Sequence, residues 1–80
     1  MTYRLRPTSE FLDEARKLDH SIREQVGKRL ERIKQTPELS KPLKHEANCF
    51  SERIGGWRIL FEVDGEDIIL HHVRKRDQTY

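Results

Sequence analysis

The stretch from Cys49 to Arg74 contains three strand-like segments, Cys49-Phe-Ser-Glu-Arg-Ile54, Trp57-Arg-Ile-Leu-Phe-Glu-Val63 and Ile68-Ile-Leu-His-His-Val-Arg74. The dipeptides Gly55-Gly56 and Asp64-Gly65 separate them, and such residues adopt positive φ at little cost, which favours tight two-residue turns. In the middle segment the apolar side chains recur at every second position, at Trp57, Ile59, Phe61 and Val63. This period of two places one face in a core, so the stretch predicts a three-stranded antiparallel meander.

The first turn of this meander brings two arginines together. A two-residue turn at Gly55-Gly56 places Arg53 directly opposite Arg58, on the face that Trp57 does not use. Like charges at such positions destabilise a sheet by a few tenths to about 1 kcal/mol, and a phosphate between the two guanidinium groups reverses this penalty. The pair therefore suggests a phosphate site, and the alternative is that both side chains only extend into water.

The composition indicates one small domain, residues 1–80, with a single core. No apolar run approaches the roughly 20 residues that span a bilayer, and no signal peptide opens the chain. We therefore expect a cytoplasmic protein that makes no membrane contact. The single cysteine, Cys49, permits no internal disulfide, which fits a reducing compartment, and no residue close to it in sequence indicates a reactive thiol.

A short strand and a first helix are predicted near the start of the chain. Apolar and basic residues alternate from Tyr3 to Arg6, which is typical of a strand, and Pro7 ends it. A helix from about Ser9 to Leu18 follows, with Thr8 or Ser9 as its N-cap. Its predicted apolar stripe consists of Phe11, Leu12, Ala15 and Leu18.

A second helix is predicted after the break at Asp19-His20-Ser21, because Ser21 and Glu24 have the spacing of a capping box. Gly27 costs such a helix about 1 kcal/mol relative to alanine, and close approach of the first helix would compensate. Thr36-Pro37 ends the helix, and residues 36–48 are predicted to form a loop. The predicted apolar face consists of Ile22, Val26, Leu30 and Ile33.

These elements predict an α+β fold with the order β-α-α-β-β-β. We expect the two helices to form a hairpin packed on one face of an antiparallel sheet, with the strand near Tyr3 at its edge. The helical apolar residues would then cover the apolar face of the meander. The opposite face, which carries the two arginines, remains available for a ligand.

The charge distribution limits the kinds of partner that the sequence supports. A net charge of +2 gives no global basic field, so any polyanion site must be a local basic patch. Candidates for this patch are Lys41, Lys44, Arg53, Arg58 and the run Arg74-Lys75-Arg76. No metal site or cofactor is predicted, because His71 and His72 are adjacent in a strand and should point to opposite faces.

The chain resembles the RelE/ParE superfamily of toxin–antitoxin toxins along essentially its whole length. The segments that carry the resemblance are Pro42-Leu-Lys-His45, Cys49-Phe-Ser-Glu-Arg-Ile54, Trp57-Arg-Ile-Leu-Phe-Glu-Val63 and Lys75-Arg-Asp-Gln-Thr-Tyr80. The resemblance to the RelE-like branch implies an endoribonuclease that cuts mRNA in the ribosome and inhibits translation. It also implies a cognate antitoxin as a partner. In this branch the ribose 2′-OH attacks the neighbouring phosphorus.

The resemblance also implies roles for individual residues. Arg58 matches the arginine that holds the scissile phosphate, and Arg76 matches the basic residue that binds phosphate or protonates the leaving oxygen. Tyr80 matches the terminal tyrosine that orients the nucleotide. Basic residues expected to contact RNA or phosphate around these three are Lys44, Arg53, Arg74 and Lys75.

The sequence also departs from the family pattern. Ser51 stands where the RelE branch offers another basic residue, and Lys41 stands where the YoeB branch carries a glutamate base. Arg74 replaces the small residue often found after the last strand, and no histidine precedes Tyr80. The sequence therefore predicts no conventional general base, and a cluster of cations with one lysine of depressed pKa would have to serve. Two alternatives remain: a non-catalytic ParE-like inhibitor of DNA gyrase, and a degenerate member that binds only its antitoxin.

Overall fold

The structure, a computed structural model, describes residues 2–75 of the 80-residue chain. Residues 2–75 form five strands, two α-helices and one short 3₁₀ helix. In chain order they are β1 (Arg4–Pro7), α1 (Ser9–Arg16), α2 (His20–Gln35), the 3₁₀ helix Pro37–Leu39, β2 (Lys41–Pro42), β3 (Cys49–Ile54), β4 (Trp57–Asp64) and β5 (Asp67–Lys75). The predicted order of helices and main strands is confirmed.

The strands form a single mixed sheet with the order β1-β5-β4-β3-β2. The predicted antiparallel meander is confirmed for β3, β4 and β5, but β1 pairs with β5 in parallel. The prediction of a plain loop for residues 36–48 was wrong in detail. Lys41 and Pro42 form a two-residue edge strand opposite Ser51 and Phe50, because extended backbone here completes the ladder of β3.

Two-residue turns connect the strands of the meander. Gly55 begins the first turn with φ of 56°, and Gly65 begins the second with φ of 62°. The first turn lies at Gly55-Gly56 as predicted. The second lies one residue later than predicted, because Asp64 still pairs with Asp67 and the turn residues are Gly65 and Glu66.

An irregularity in β5 changes the direction of its side chains. The register with β4 shifts at Leu60 and Phe61, so that Leu70 pairs with Phe61 and His72 with Leu60. His71 is the extra residue of this β-bulge. As a result Leu70 and Val73 are both buried in the core although three positions separate them.

The core lies between the helices and one face of the sheet. Ile59 and Phe61 are buried there as predicted, and Trp57 and Val63 pack against them. The helices contribute buried Phe11, Leu18, Val26 and Ile33. Leu12 was assigned wrongly to the apolar stripe of α1, since it is 49% exposed. No helix within residues 2–75 is long and apolar enough to cross a membrane.

The helix ends differ from prediction in two respects. The Thr8 side chain caps α1, as expected, but Asp19 rather than Ser21 caps α2, by accepting a hydrogen bond of 2.9 Å from the Ile22 N–H. Asp19 stands immediately before the first helical residue, so its carboxylate reaches the free N–H groups more directly. The expected close approach at Gly27 is also wrong, because no atom of residues 2–75 would contact a Cβ there.

Candidate nucleic-acid interface

A groove of about 680 Å³ lies on the sheet face opposite the helices. The segment from Lys41 to Glu46 forms one wall, and side chains of β3, β4 and β5 form the floor. Leu60 of the floor is buried beneath this segment, although it alternates with the core residues of β4. The groove thus combines an apolar floor with charged surroundings, and its size suits a nucleotide.

Three arginines form a row across the sheet beside this groove. Arg53 pairs with Arg58, and Arg58 pairs with Arg74 on the other side, so the three occupy consecutive strands on one face. The opposition of the first two follows the prediction from the Gly55-Gly56 turn. Arg74 joins them only because the bulge at His71 reverses the alternation of β5.

The members of this row differ in how their charge is compensated. Within residues 2–75 no carboxylate pairs with Arg53 or Arg58, whereas Glu14 pairs with Arg74. The Nε atom of Arg58 is buried and has no hydrogen-bond partner among the same residues. A buried donor without a partner is costly, and an anionic oxygen from a ligand would satisfy it. The geometry therefore favours an anion at Arg58.

Glu14 reaches the site from the helical layer. Strand β1 ends opposite Leu70, which leaves the edge of β5 open beyond that residue, and α1 runs beside the open edge. The Glu14 carboxylate accepts hydrogen bonds from the Val73 N–H at 3.1 Å and from Arg74 Nε at 2.8 Å. The same carboxylate lies 3.2 Å from His72 Nδ1. Burial alone would raise the pKa of Glu14, but these hydrogen bonds outweigh it and lower the pKa.

Both histidines of β5 line the groove, contrary to the prediction that they point to opposite faces. The bulge is the physical reason, because an extra residue sends two successive side chains to one side. His71 Nε2 lies 2.9 Å from a carboxylate oxygen of Glu62. No signal in the sequence marked this irregularity, so sequence reasoning missed His71, His72 and Glu14 as residues of the site.

The structure places the other predicted site residues as follows. Lys44 lines the groove, close to the row of arginines. Lys75 lies apart from them on the helix-facing side, with its Nζ 5.8 Å from the ring centroid of Trp57. Arg76 and Tyr80 lie outside the described residues, so their predicted roles stay predictions. Cys49 lines the groove too, and burial followed by the charges of Glu62 and Glu46 raises its pKa, which makes it a poor nucleophile.

Two arginines of α2, Arg29 and Arg32, form ion pairs on the helix-covered face of the sheet. Glu52 of β3 forms ion pairs with Arg29 and Arg32 of α2 and accepts a hydrogen bond of 2.6 Å from Ser40 Oγ. Burial alone would raise the pKa of Glu52, but these partners outweigh it and lower the pKa. This cluster fixes α2 to the sheet, and both of its arginines have a carboxylate partner, unlike Arg53 and Arg58.

Comparison with solved structures identifies the class of fold. The isolated RelE toxin of E. coli superposes with a TM-score of 0.85 at 28% identity, over 96% of this chain and 87% of that chain. The toxin–antitoxin complex RelBE2 of Mycobacterium tuberculosis superposes with a TM-score of 0.84 at 27% identity, over 95% of this chain and 100% of that chain. The intact E. coli RelBE toxin–antitoxin complex superposes with a TM-score of 0.83 at 29% identity, over 91% of this chain and 95% of that chain. The domain therefore has the fold of RelE-like toxins.

Comparison of the sequence with protein families identifies the family. Residues 5–80 match the family described as the ParE toxin of type II toxin–antitoxin systems, parDE. The chain belongs to this family, and the resemblance to the RelE/ParE superfamily is confirmed. No curated protein sequence matches the chain significantly.

Proposed function

We propose that this chain is a toxin that cleaves mRNA on the ribosome and thereby inhibits translation. The observation that carries the proposal is the pair Arg53 and Arg58, which has no compensating carboxylate within residues 2–75. The pair lies beside a groove of nucleotide size. RNA offers both a phosphate for the guanidinium groups and a base for the apolar floor.

The reaction that fits this site is attack of a ribose 2′-OH on the neighbouring phosphorus. Negative charge develops on the phosphate oxygens in the transition state, and a preplaced guanidinium stabilises it more than it stabilises the ground state. Arg58 takes this role, because its buried Nε is free for an oxygen. Arg53 and Lys44 add positive charge beside it. By the resemblance, we expect Arg76 and Tyr80 to act together with Arg58.

The second candidate function is inhibition of DNA gyrase without catalysis, which the match to the ParE family favours. That function does not require the row of arginines beside the groove. A third candidate, a chain that only binds its antitoxin, does not require it either. The uncompensated Arg58 is the feature that separates RNA cleavage from both alternatives.

A cognate antitoxin is the partner that we expect in the cell, since RelBE relatives of this fold form toxin–antitoxin complexes. We expect an amphipathic segment of the antitoxin to fold as it binds the toxin, with its apolar side chains supplying much of the affinity. The exposed side chains of Leu12 and Leu39 offer apolar contacts for the antitoxin. Co-purification of a companion protein from the native host tests this expectation.

The decisive experiment measures two activities with the same preparation of the full chain. Single-turnover cleavage of mRNA on programmed ribosomes tests the nuclease, and supercoiling of relaxed plasmid by purified gyrase tests the inhibitor. The Arg58→Ala variant should cut roughly 10²–10³-fold more slowly, as loss of one charge-stabilising donor costs in other enzymes. Lys28→Ala is the matched control, because it removes one positive charge from the exposed surface of α2.

The outcomes distinguish the candidates. Cleavage that depends on Arg58 but not on Lys28 supports the ribonuclease. Gyrase inhibition without cleavage supports the ParE-like function, and antitoxin binding with neither activity supports the degenerate member. If folded Arg58→Ala cuts at the parental rate, the site lies elsewhere.

A further inference from the structure

The contacts of the Glu14 carboxylate define an acid–histidine pair at the groove. One oxygen, Oε1, lies 3.2 Å from His72 Nδ1 and accepts the Val73 N–H at 3.1 Å, while the other accepts Arg74 Nε. The carboxylate is therefore fixed by the backbone of the strand that carries the histidine. The His72 ring lines the groove, and its Nε2 forms no hydrogen bond within residues 2–75.

The partners of Glu14 determine the tautomer of His72. Because the hydrogen bonds that Glu14 accepts lower its pKa, the carboxyl group is ionised at neutral pH and can only accept hydrogen bonds. His72 Nδ1 must then carry the proton of their contact. In the neutral ring the lone pair resides on Nε2, which is the arrangement of a histidine that abstracts protons.

His72 is also placed correctly relative to the phosphate-binding residue. His72 pairs with Leu60 and Arg74 pairs with Arg58, so His72 and Arg58 are diagonal neighbours on one face. Such neighbours lie roughly 7–8 Å apart, within reach of long side chains. A nucleotide whose phosphate contacts Arg58 can thus present its ribose to His72.

We propose that His72 is the general base of the RNA-cleaving reaction and that Glu14 is its positioning residue. This inference rests on the proposed ribonuclease function and supplies the base that the sequence did not offer. In the step, Nε2 takes the proton of the 2′-OH while O2′ forms a bond to phosphorus. The bond from phosphorus to O5′ breaks, and the leaving oxygen takes a proton from water. The hydroxide that remains is neutralised by the proton that Nε2 releases afterwards. The products are a 2′,3′-cyclic phosphate and a 5′-hydroxyl.

Several charged groups surround the imidazole, and the test must leave them in place. Glu14 faces it from α1, Arg58 from β4, and His71 and Arg74 flank it on β5. The groove wall adds Lys44, His45 and Glu46. Replacement of His72 leaves all of these side chains in place. It removes one contact of Glu14, whose carboxylate still accepts hydrogen bonds from the Val73 N–H and Arg74 Nε.

The test is the pH dependence of single-turnover mRNA cleavage on programmed ribosomes. For the parental chain the rate should rise with pH as the imidazolium loses its proton and then level off. His72→Ala should lose about 10²–10⁴ in rate and also lose this rise, and added imidazole should restore part of the rate. His20→Ala is the matched control, because His20 also pairs with a glutamate, Glu24, but on an exposed turn of α2.

Glu14→Gln separates positioning from a purely structural role. Loss of the negative charge disfavours the imidazolium, so the midpoint of the pH profile should move to lower pH. A merely structural role would lower the rate without moving this midpoint. Circular dichroism of each variant establishes that it is folded.

Three results would overturn the proposal. If His72→Ala cuts at the parental rate with the parental pH profile while Arg58→Ala does not cut, the pair is not the base and the ribonuclease function stands. If His72→Ala is slow but keeps the pH profile, the ring acts only by packing. If the parental chain does not cut mRNA at all, the proposed function fails together with this inference.

Discussion

Arg53 of β3 lies directly opposite Arg58 of β4, on the sheet face that the helices do not cover. No carboxylate within residues 2–75 separates their charges, and Arg74 extends the row on the next strand. Like charges directly opposite each other destabilise a sheet, so we expect this arrangement to cost stability in the free protein, and a bound anion would offset that cost.

We expect Arg53→Thr to increase the free energy of unfolding by a few tenths to about 1 kcal/mol, because it removes the repulsion and places a β-branched residue in a strand. Urea denaturation at low salt measures the gain, which should shrink as salt screens the charges. The same variant should bind mRNA on the ribosome more weakly. Arg53→Lys keeps the repulsion and is the control. A loss of stability in Arg53→Thr would show that the arginines do not repel.

We expect Glu52→Gln to cost about 1–3 kcal/mol at neutral pH, since Arg29 and Arg32 lose their charged partner. The folded-state pKa of Glu52 lies below its ordinary value, so its contribution is complete above the ordinary glutamate pKa. The contribution is lost as pH falls through the folded pKa. Denaturation at several pH values should show a smaller acid-induced loss in the variant than in the parental chain. Equal losses would contradict this assignment.

We expect Gly27→Ala to stabilise the protein by about 0.4–1 kcal/mol, because the new Cβ meets no atom of residues 2–75 and alanine favours the helix. Gly55→Ala is the contrasting variant, as φ of 56° at that turn disfavours a side chain. Thermal unfolding should therefore move in opposite directions for the two substitutions. A destabilised Gly27→Ala would indicate a constraint on that surface of α2.

We expect Phe61→Ala to cost about 3–5 kcal/mol, because Phe61 is 1% exposed and stacks on Phe50 with ring centroids 5.4 Å apart. Leu12→Ala removes a comparable apolar side chain from an exposed position of α1, and its effect should stay within about 0.5 kcal/mol. Chemical denaturation of both variants gives the comparison. Similar costs at the two positions would contradict the assigned core.

The parts of the site that follow from local rules could be predicted from the sequence. The opposition of Arg53 and Arg58 depends only on a two-residue turn and the period of a strand, and both are visible in the residues. The core face of β4 follows from the same period. The cap at Asp19 was missed because Ser21 offers the same chemistry two residues later, and hydrogen-bond geometry decides between them.

The parts that depend on distant contacts could not be predicted. Glu14 meets the edge of β5 only because β1 stops opposite Leu70, and 58 positions separate it from His72. The parallel pairing of β1 likewise depends on how the helices return the chain to the sheet. No sequence motif in α1 or β5 indicates that the two elements come into contact.

The bulge at His71 determines which face of the sheet each side chain at the end of β5 occupies. Strict alternation from Leu70 would send His72 and Arg74 towards the helices and would expose Val73 on the groove side. One additional residue exchanges these assignments, so that Val73 enters the core while His72 and Arg74 lie on the sheet face that carries the groove. The polarity of this face therefore depends on the number of residues between Leu70 and Val73 as well as on their identity. Deletion of His71, the extra residue, would leave a regular strand in which Leu70 and Val73 still face the core and His72 and Arg74 still face away from the helices.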